Sequence, residues 1–156
     1  MSSDTRQPGN EGERVLRPLT REQALRLLGT VPMGRIAFTS RAMPAIRPVN
    51  HMVDDEGRII IRSHEGGSIV TATDAERGTV VSYEADQIDT ETRVGWTVIV
   101  TGLARVVDDP AQVEAYHEAL QPWVSGLDYI ISIDPTIVTA YELVRGRNGS
   151  PARQPA

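Results

Sequence analysis

From Gly34 onward the chain alternates. GRIAFTS, AIRPVNHMV and GRIIIRS carry Ile, Ala, Phe, Val and Met at every second position or in short β-branched runs, with polar turns at Arg41 to Pro44 and at Asp54 to Gly57 between them. Period-two patterning bounded by turn residues predicts strands, here three in an antiparallel meander. Pro48 inside the second run cannot donate to a ladder, so it predicts an edge, a bulge, or backbone turned towards something else. GTVVSYEA (78–85) and GWTVIVTGLARVVDD (95–109) read as two further strands, the second long enough to bend, with Gly102 a candidate bulge. DYIISID and TIVTAYELV, joined through Pro135, complete a sheet of six or seven strands. Helical spacing occurs in two places. Thr20 followed by Gln23 makes a capping box, with Ala24, Leu25, Leu27 and Leu28 as an apolar stripe and Gly29 as a stop. Pro110 opens a second helix, in which Val113, Tyr116 and Leu120 share one face. So many strands with few short helices predict a mainly β fold, an antiparallel barrel rather than a doubly wound sheet.

Outside 19–146 the pattern fades. Residues 1–18 and 147–156 are rich in Ser, Asp, Gly and Pro and have too little apolar surface to offset their ordering entropy, which predicts two disordered tails around one domain. A length of 156 residues fits one domain, and a formal charge of −5 spread along the chain argues against a nucleic-acid binder that relies on bulk charge. The absence of cysteine removes disulfides, thiolate zinc sites and a cysteine nucleophile together. The first 18 residues lack the apolar core of a signal peptide, and no run approaches a membrane span, so the expectation is a cytoplasmic protein without a membrane partner.

The common catalytic signatures, a Walker loop, GxSxG, HExxH and GxGxxG, do not occur, and metal hydrolysis is not expected. The acidic pairs Asp54 with Asp55 and Asp108 with Asp109 fall at turns, where carboxylates cap backbone amides. His64 lies at a strand exit and His117 on a helix flank, both read as solvated, and the pattern gives Trp123 to core or interface. RSHEGGSIVTA (62–72) is more suggestive. A strand ending in Arg62 and Ser63, a flexible Glu65-Gly66-Gly67, and Ser68 opening a helical turn would aim backbone N–H groups at a common point, with one guanidinium and two hydroxyls beside it. Such a point suits a phosphate, although Gly-Gly-Ser also serves as an ordinary loop.

In order along residues 20–146, GRIAFTS, MPAIRPVNHMVDDEGRIIIRS, the Gly-rich turn with its short helix, YEADQIDTETRVGWTVIVTGLARVV and ISIDPTIVTAYEL resemble the strands of the pyridoxamine 5'-phosphate oxidase-like, FMN-binding split-barrel family. The resemblance implies a six-stranded split barrel and a homodimer with two flavins at the subunit interface. Arg47, Pro48, Val49 and Asn50 match the strand along the isoalloxazine ring, and Ile61, Arg62 and Ser63 the strand end that reaches ring and phosphate. Gly67 and Ser68 match the phosphate loop, and Trp96 a Gly-Trp motif that approaches the flavin from the partner subunit. Relatives commonly carry Lys where this chain has Gly67 and Ser68, so one positive charge towards the phosphate is missing.

The resemblance implies an FMN-dependent oxidoreductase acting on a small molecule, with cofactor F420 as a variant. His51 is the titratable residue nearest the ring-binding strand and the candidate proton donor. The second reading is a non-catalytic flavin, F420 or haem binding protein with a degenerate phosphate site.

Overall fold

A computed structural model describes residues 12–64, 67–73 and 76–146. Within them seven strands and three short helices follow in the order β1 (Arg14–Pro18), α1 (Arg21–Leu28), β2 (Met33–Ser40), β3 (Met43–Val53), β4 (Ile59–Ser63), α2 (Ser68–Ala72), β5 (Thr79–Asp89), β6 (Val94–Val106), α3 (Pro110–Ala119) and β7 (Tyr129–Arg145). Neighbouring strands are antiparallel, in the order β1-β7-β4-β3-β2-β5-β6, and β6 also pairs with β7. That last pairing closes β2 to β7 into a six-stranded ring, with β1 added outside it.

The ring is split in a particular place. β3 pairs with β2 along its length from Met43 to Asn50, but with β4 only at His51, Met52 and Val53. From Met43 to Asn50, therefore, β3 has a strand partner on one side only, and Pro48 sits in this half-free segment as its missing N–H requires. A smaller gap lies along β7 between its pairings with β4 and β1. There α1 covers the opening with Ala24 and Leu28, both fully buried, and Arg21 donates to the Pro135 carbonyl at 2.8 Å. The Thr20 box holds the start of that helix, Thr20 accepting from the Gln23 amide and Gln23 from the Thr20 amide.

Ile36, Phe38, Ile59, Ile61, Tyr83, Val98, Val100, Ile131 and Ile133 fill the barrel. The unbroken apolar run of β4 is explained by burial on both sides, since Ile60 points the other way into a second cluster with Leu120, Ile130, Met52, Val113 and Tyr116 beneath α3. Asp54 clips that helix down: Tyr116 donates to its carboxylate at 2.9 Å, and Arg58 donates to the same carboxylate and to the Tyr116 hydroxyl, each at 2.9 Å. Gly102 lies at a register shift against β7, and a Cβ there would stand 2.2 Å from the Asp134 carbonyl oxygen.

Three expectations change. The tail of 1–18 is too long, because Arg14–Pro18 is a strand, paired residue by residue with Pro18↔Tyr141 through Arg14↔Arg145. Its short apolar content was insufficient alone, but the free edge of β7 supplies a ladder of backbone partners along one side of it. The remainder of both tails, 1–11 and 147–156, lies outside the described residues. Tyr129–Arg145 is one strand of 17 residues rather than two joined through Pro135. Pro135 is tolerated inside it because it falls at the register shift opposite Gly102. Finally, β5 runs on to Asp89, carried by its ladder with the start of β6.

Candidate functional site

The split exposes a cavity of about 330 Å³, within the range of small-molecule sites. Arg47, Pro48, Val49 and Asn50 on the half-free edge of β3 form one wall, and Arg62, Ser63 and His64 at the exit of β4 form another. Gly67 and Ile69 at the start of α2 close one end, and Met33 and Ile36 form the floor. Over the top lies the connection after α3, which contributes Leu120, Pro122, Trp123, Val124 and Leu127. Arg62 holds this cover. Its Nε donates to the Leu127 carbonyl at 2.7 Å and its Nη1 to the Leu120 carbonyl at 3.1 Å, so one guanidinium ties both ends of the segment to the barrel.

Two arginines without a carboxylate partner meet in this cavity. Arg17, Arg26, Arg35, Arg58 and Arg105 each lie against a carboxylate. Among the described residues Arg14, Arg21, Arg47 and Arg62 donate to backbone carbonyls instead; Arg47 and Arg62 share one cavity, and no Asp or Glu is among its described lining residues. Carbonyl oxygens orient a guanidinium without neutralising it, and a chain of net charge −5 thus presents two uncompensated cations in a mainly apolar hollow. The match is to a mainly apolar group that carries an anion.

The structure brings together Arg47, Pro48, Val49, Asn50, Arg62, Ser63 and Gly67. Gly67 is tightly enclosed, since a Cβ would stand 2.7 Å from Ser63 Oγ and 2.9 Å from the His64 carbonyl oxygen. Ser68 opens α2, while Glu65 and Gly66 lie outside the described residues. Ile61 is fully buried in the barrel and does not reach the cavity. Trp96 is also in the core, 8 % exposed, and is not on the cavity wall of its own chain. The adjoining Gly95 has φ 150°, and a Cβ on it would stand 2.0 Å from the Gln87 carbonyl oxygen. Sequence reasoning missed the cover segment. Trp123 and Val124, 65 % and 66 % exposed, are large apolar residues in a stretch rich in Pro, Ser and Gly, and that mismatch was the available signal.

His51 points into the barrel, away from the cavity. The ring is 4 % exposed; Nε2–H donates to the Leu28 carbonyl at 2.7 Å and Nδ1 accepts from the Tyr83 hydroxyl at 2.5 Å. With both nitrogens engaged in the core, it is placed as a structural residue rather than as a proton donor to a bound molecule. Burial pushes its pKa below 6.5, only partly countered by the Leu28 carbonyl. A pKa lowered on folding means that the unfolded chain takes up the proton first. Stability is then complete above about pH 6.5 and falls as the pH drops towards the folded value, by at most about 1.4 kcal/mol per pH unit. Urea midpoints measured between pH 7.5 and 5 should fall accordingly, and His51→Gln should flatten the slope; an equal slope in that variant would assign it to other groups.

A family model described as pyridoxamine 5'-phosphate oxidase matches residues 20–142. The uncharacterized protein Rv0080 of Mycobacterium tuberculosis is 45% identical over 147 residues, which cover 92% of this chain and 96% of that protein. A solved FAD binding protein from Mycobacterium smegmatis superposes with a TM-score of 0.65 at 30% identity, over 82% of this chain and 100% of its own. An FAD and heme binding protein from the same organism superposes with a TM-score of 0.58 over 87% of each chain; at 13% identity it bears on the fold alone.

Proposed function

The chain belongs to the pyridoxamine 5'-phosphate oxidase family, and from that premise we propose that it is a flavin-dependent oxidoreductase whose cofactor occupies the cavity at the split of the barrel. The observation that carries the proposal is the pair of uncompensated guanidiniums, Arg47 and Arg62, on a mainly apolar wall without a carboxylate among its described residues. The residues fit the group. Pro48, Val49 and Asn50 lie along the half-free edge of β3, where a planar ring can rest against backbone that no strand covers. Arg62 and Ser63, with the backbone at the start of α2, would receive the phosphate. Flavin, when bound, supplies hydride or electron transfer, and the protein supplies position, charge and exclusion of water. The segment from Leu120 to Leu127 provides that exclusion, with Trp123 and Val124 turned to the cavity.

A homodimer belongs to the same proposal. On the outer face of the sheet, register aligns Ile46, Ala37, Ser82, Thr101 and Ile137 in one uncharged row across five strands. Ile46 and Ile137 are 62 % and 60 % exposed, and Val80 and Ile99 beside the row are also exposed. Such a surface suits a second copy of the chain, and it adjoins Arg47 on the cavity edge.

Titration of the purified protein with FMN, FAD, cofactor F420 and haemin, followed by absorbance and fluorescence, tests the proposal. Saturable flavin binding at one site per chain is the expected result. If neither flavin binds, the proposal fails. Haemin binding alone, with a spectrum altered by replacement of His64 on the cavity wall, would favour the haem-carrier reading instead.

A further inference from the structure

We propose that His64, in its protonated form, is a second cation for the phosphate held at Arg62, so that the site gains affinity for a phosphorylated ligand as the pH falls. The inference rests on the flavin reading above and adds a proton-dependent residue to it. Composition narrows the choice of cation. The chain contains no lysine, and all 16 of its Lys and Arg positions are arginine. Arginine and, in acid, histidine are therefore its cationic side chains.

Position selects His64. It follows Ser63 at the exit of β4 and lines the cavity beside Arg62 and Ser63. Its ring lies against Gly67: a Cβ on that glycine would stand 2.7 Å from Ser63 Oγ and 3.4 Å from His64 Cε1, so hydroxyl and imidazole flank one point. The Gly67 amide donates to the His64 carbonyl at 3.0 Å and holds the turn in that shape. The other two histidines are committed elsewhere. His51 has both nitrogens engaged in the core, and His117 uses Nε2 on the Asp128 carbonyl. His64 is exposed, and among the described residues neither of its ring nitrogens has a hydrogen-bond partner.

His64 is also the one described lining residue whose charge can change near neutral pH, because the other ionisable groups on the wall are Arg47 and Arg62. Those guanidiniums, from β3 and from its own strand, are the charged groups that face it. β2, α2 and the cover segment bring none among their described lining residues, and Glu65, next along the chain, lies outside the described residues. A phosphate arriving at Arg62 and Ser63 favours the imidazolium over the neutral ring, which links binding to proton uptake. A ligand without the phosphate gains nothing from the same proton.

Dissociation constants of FMN and riboflavin, measured on the full-length protein and on His64→Gln between pH 8 and 5.5, provide the test. The phosphate itself titrates in this range, at about pH 6, but it does so for both proteins, and the ratio of their constants isolates the imidazole. Acid effects through His51 cancel in the same way. We expect His64→Gln to match the wild type for FMN at pH 8 and to bind it about threefold to tenfold more weakly at pH 5.5, with riboflavin affinity equal in the two proteins throughout. His64→Lys, charged across the whole range, should bind FMN more tightly than the wild type at pH 8 by a similar factor. A ratio for FMN that does not change with pH, or a ratio for riboflavin that changes with it, would overturn the role of His64 and leave the flavin reading standing. Absence of FMN and riboflavin binding at every pH would overturn both.

Discussion

Arg62→Ala should lose flavin affinity and uncover the cavity in one step. In the proposed binding mode the guanidinium faces the phosphate, and it donates to the Leu127 and Leu120 carbonyls, so truncation would remove a cation from the site and two hydrogen bonds from its cover. A charge-assisted hydrogen bond is worth roughly 1.5–3 kcal/mol, or about tenfold to a hundredfold in affinity. Because the cover loosens as well, we expect the upper end of that range. Two measurements separate the roles. Flavin titration reads the charge, and limited proteolysis in the stretch from Pro122 to Leu127, together with indole fluorescence, reads the cover. Arg62→Lys should recover part of the affinity but not the protection, because an ammonium lacks the planar fork that reaches both carbonyls. Unchanged affinity in Arg62→Ala, with increased cleavage, would reduce Arg62 to a clamp and move the phosphate elsewhere.

The second large effect is on stability. Gly95→Ala should cost about 3 kcal/mol or more, from two sources. At φ 150° an L side chain is strained, at about 1–3 kcal/mol. The new methyl would also overlap the Gln87 carbonyl oxygen at 2.0 Å and the Ile88 Cα at 2.7 Å, both backbone atoms of β5 that can move only by opening the ladder. At about 2–4 °C per kcal/mol for a domain of this size, the melting temperature should drop by roughly 6–12 °C or more. Trp96→Phe, a milder change in the same dipeptide, should lower stability less and leave flavin affinity of the isolated chain's own cavity intact. A Gly95→Ala protein of normal stability would mean that β5 and β6 part here at little cost. Within one chain, Gly95 admits the neighbouring strand and Trp96 fills the core behind it.

What was legible followed from local rules. The Thr20 box, the Pro110 start, the meander through Arg62 and the irregularity at Gly102 each depend on residues within a few positions of one another, and the strands they predicted are present. The cavity wall was legible too, since Arg47 to Asn50, Arg62 to His64 and Gly67 carry it in short stretches. What depended on distant partners was not. β1 exists because β7 offers an edge, and Pro135 stays within a strand because β6 shifts register opposite it. Ile61 looked like a cavity residue in one dimension, but alternation turns it into the barrel. The cover segment has no period at all; only its tether to Arg62 gives it a place.

The pairing of β1 with β7 also affects the order in which the protein can be made. Arg14 and Val15 meet Arg145 and Val144, so the first strand of the chain must wait for the last. On the ribosome, β2 to β5 can assemble their hairpins as they emerge, but β6 and β4 both lean on β7, and no ring exists until that strand is released. Until then the apolar inner faces of a nearly complete sheet stand open, and the exposed edges of β4 and β6 are available to any other strand. Closure is therefore a late, long-range event with a high loop entropy, and the nascent chain is most aggregation-prone while β7 has yet to emerge.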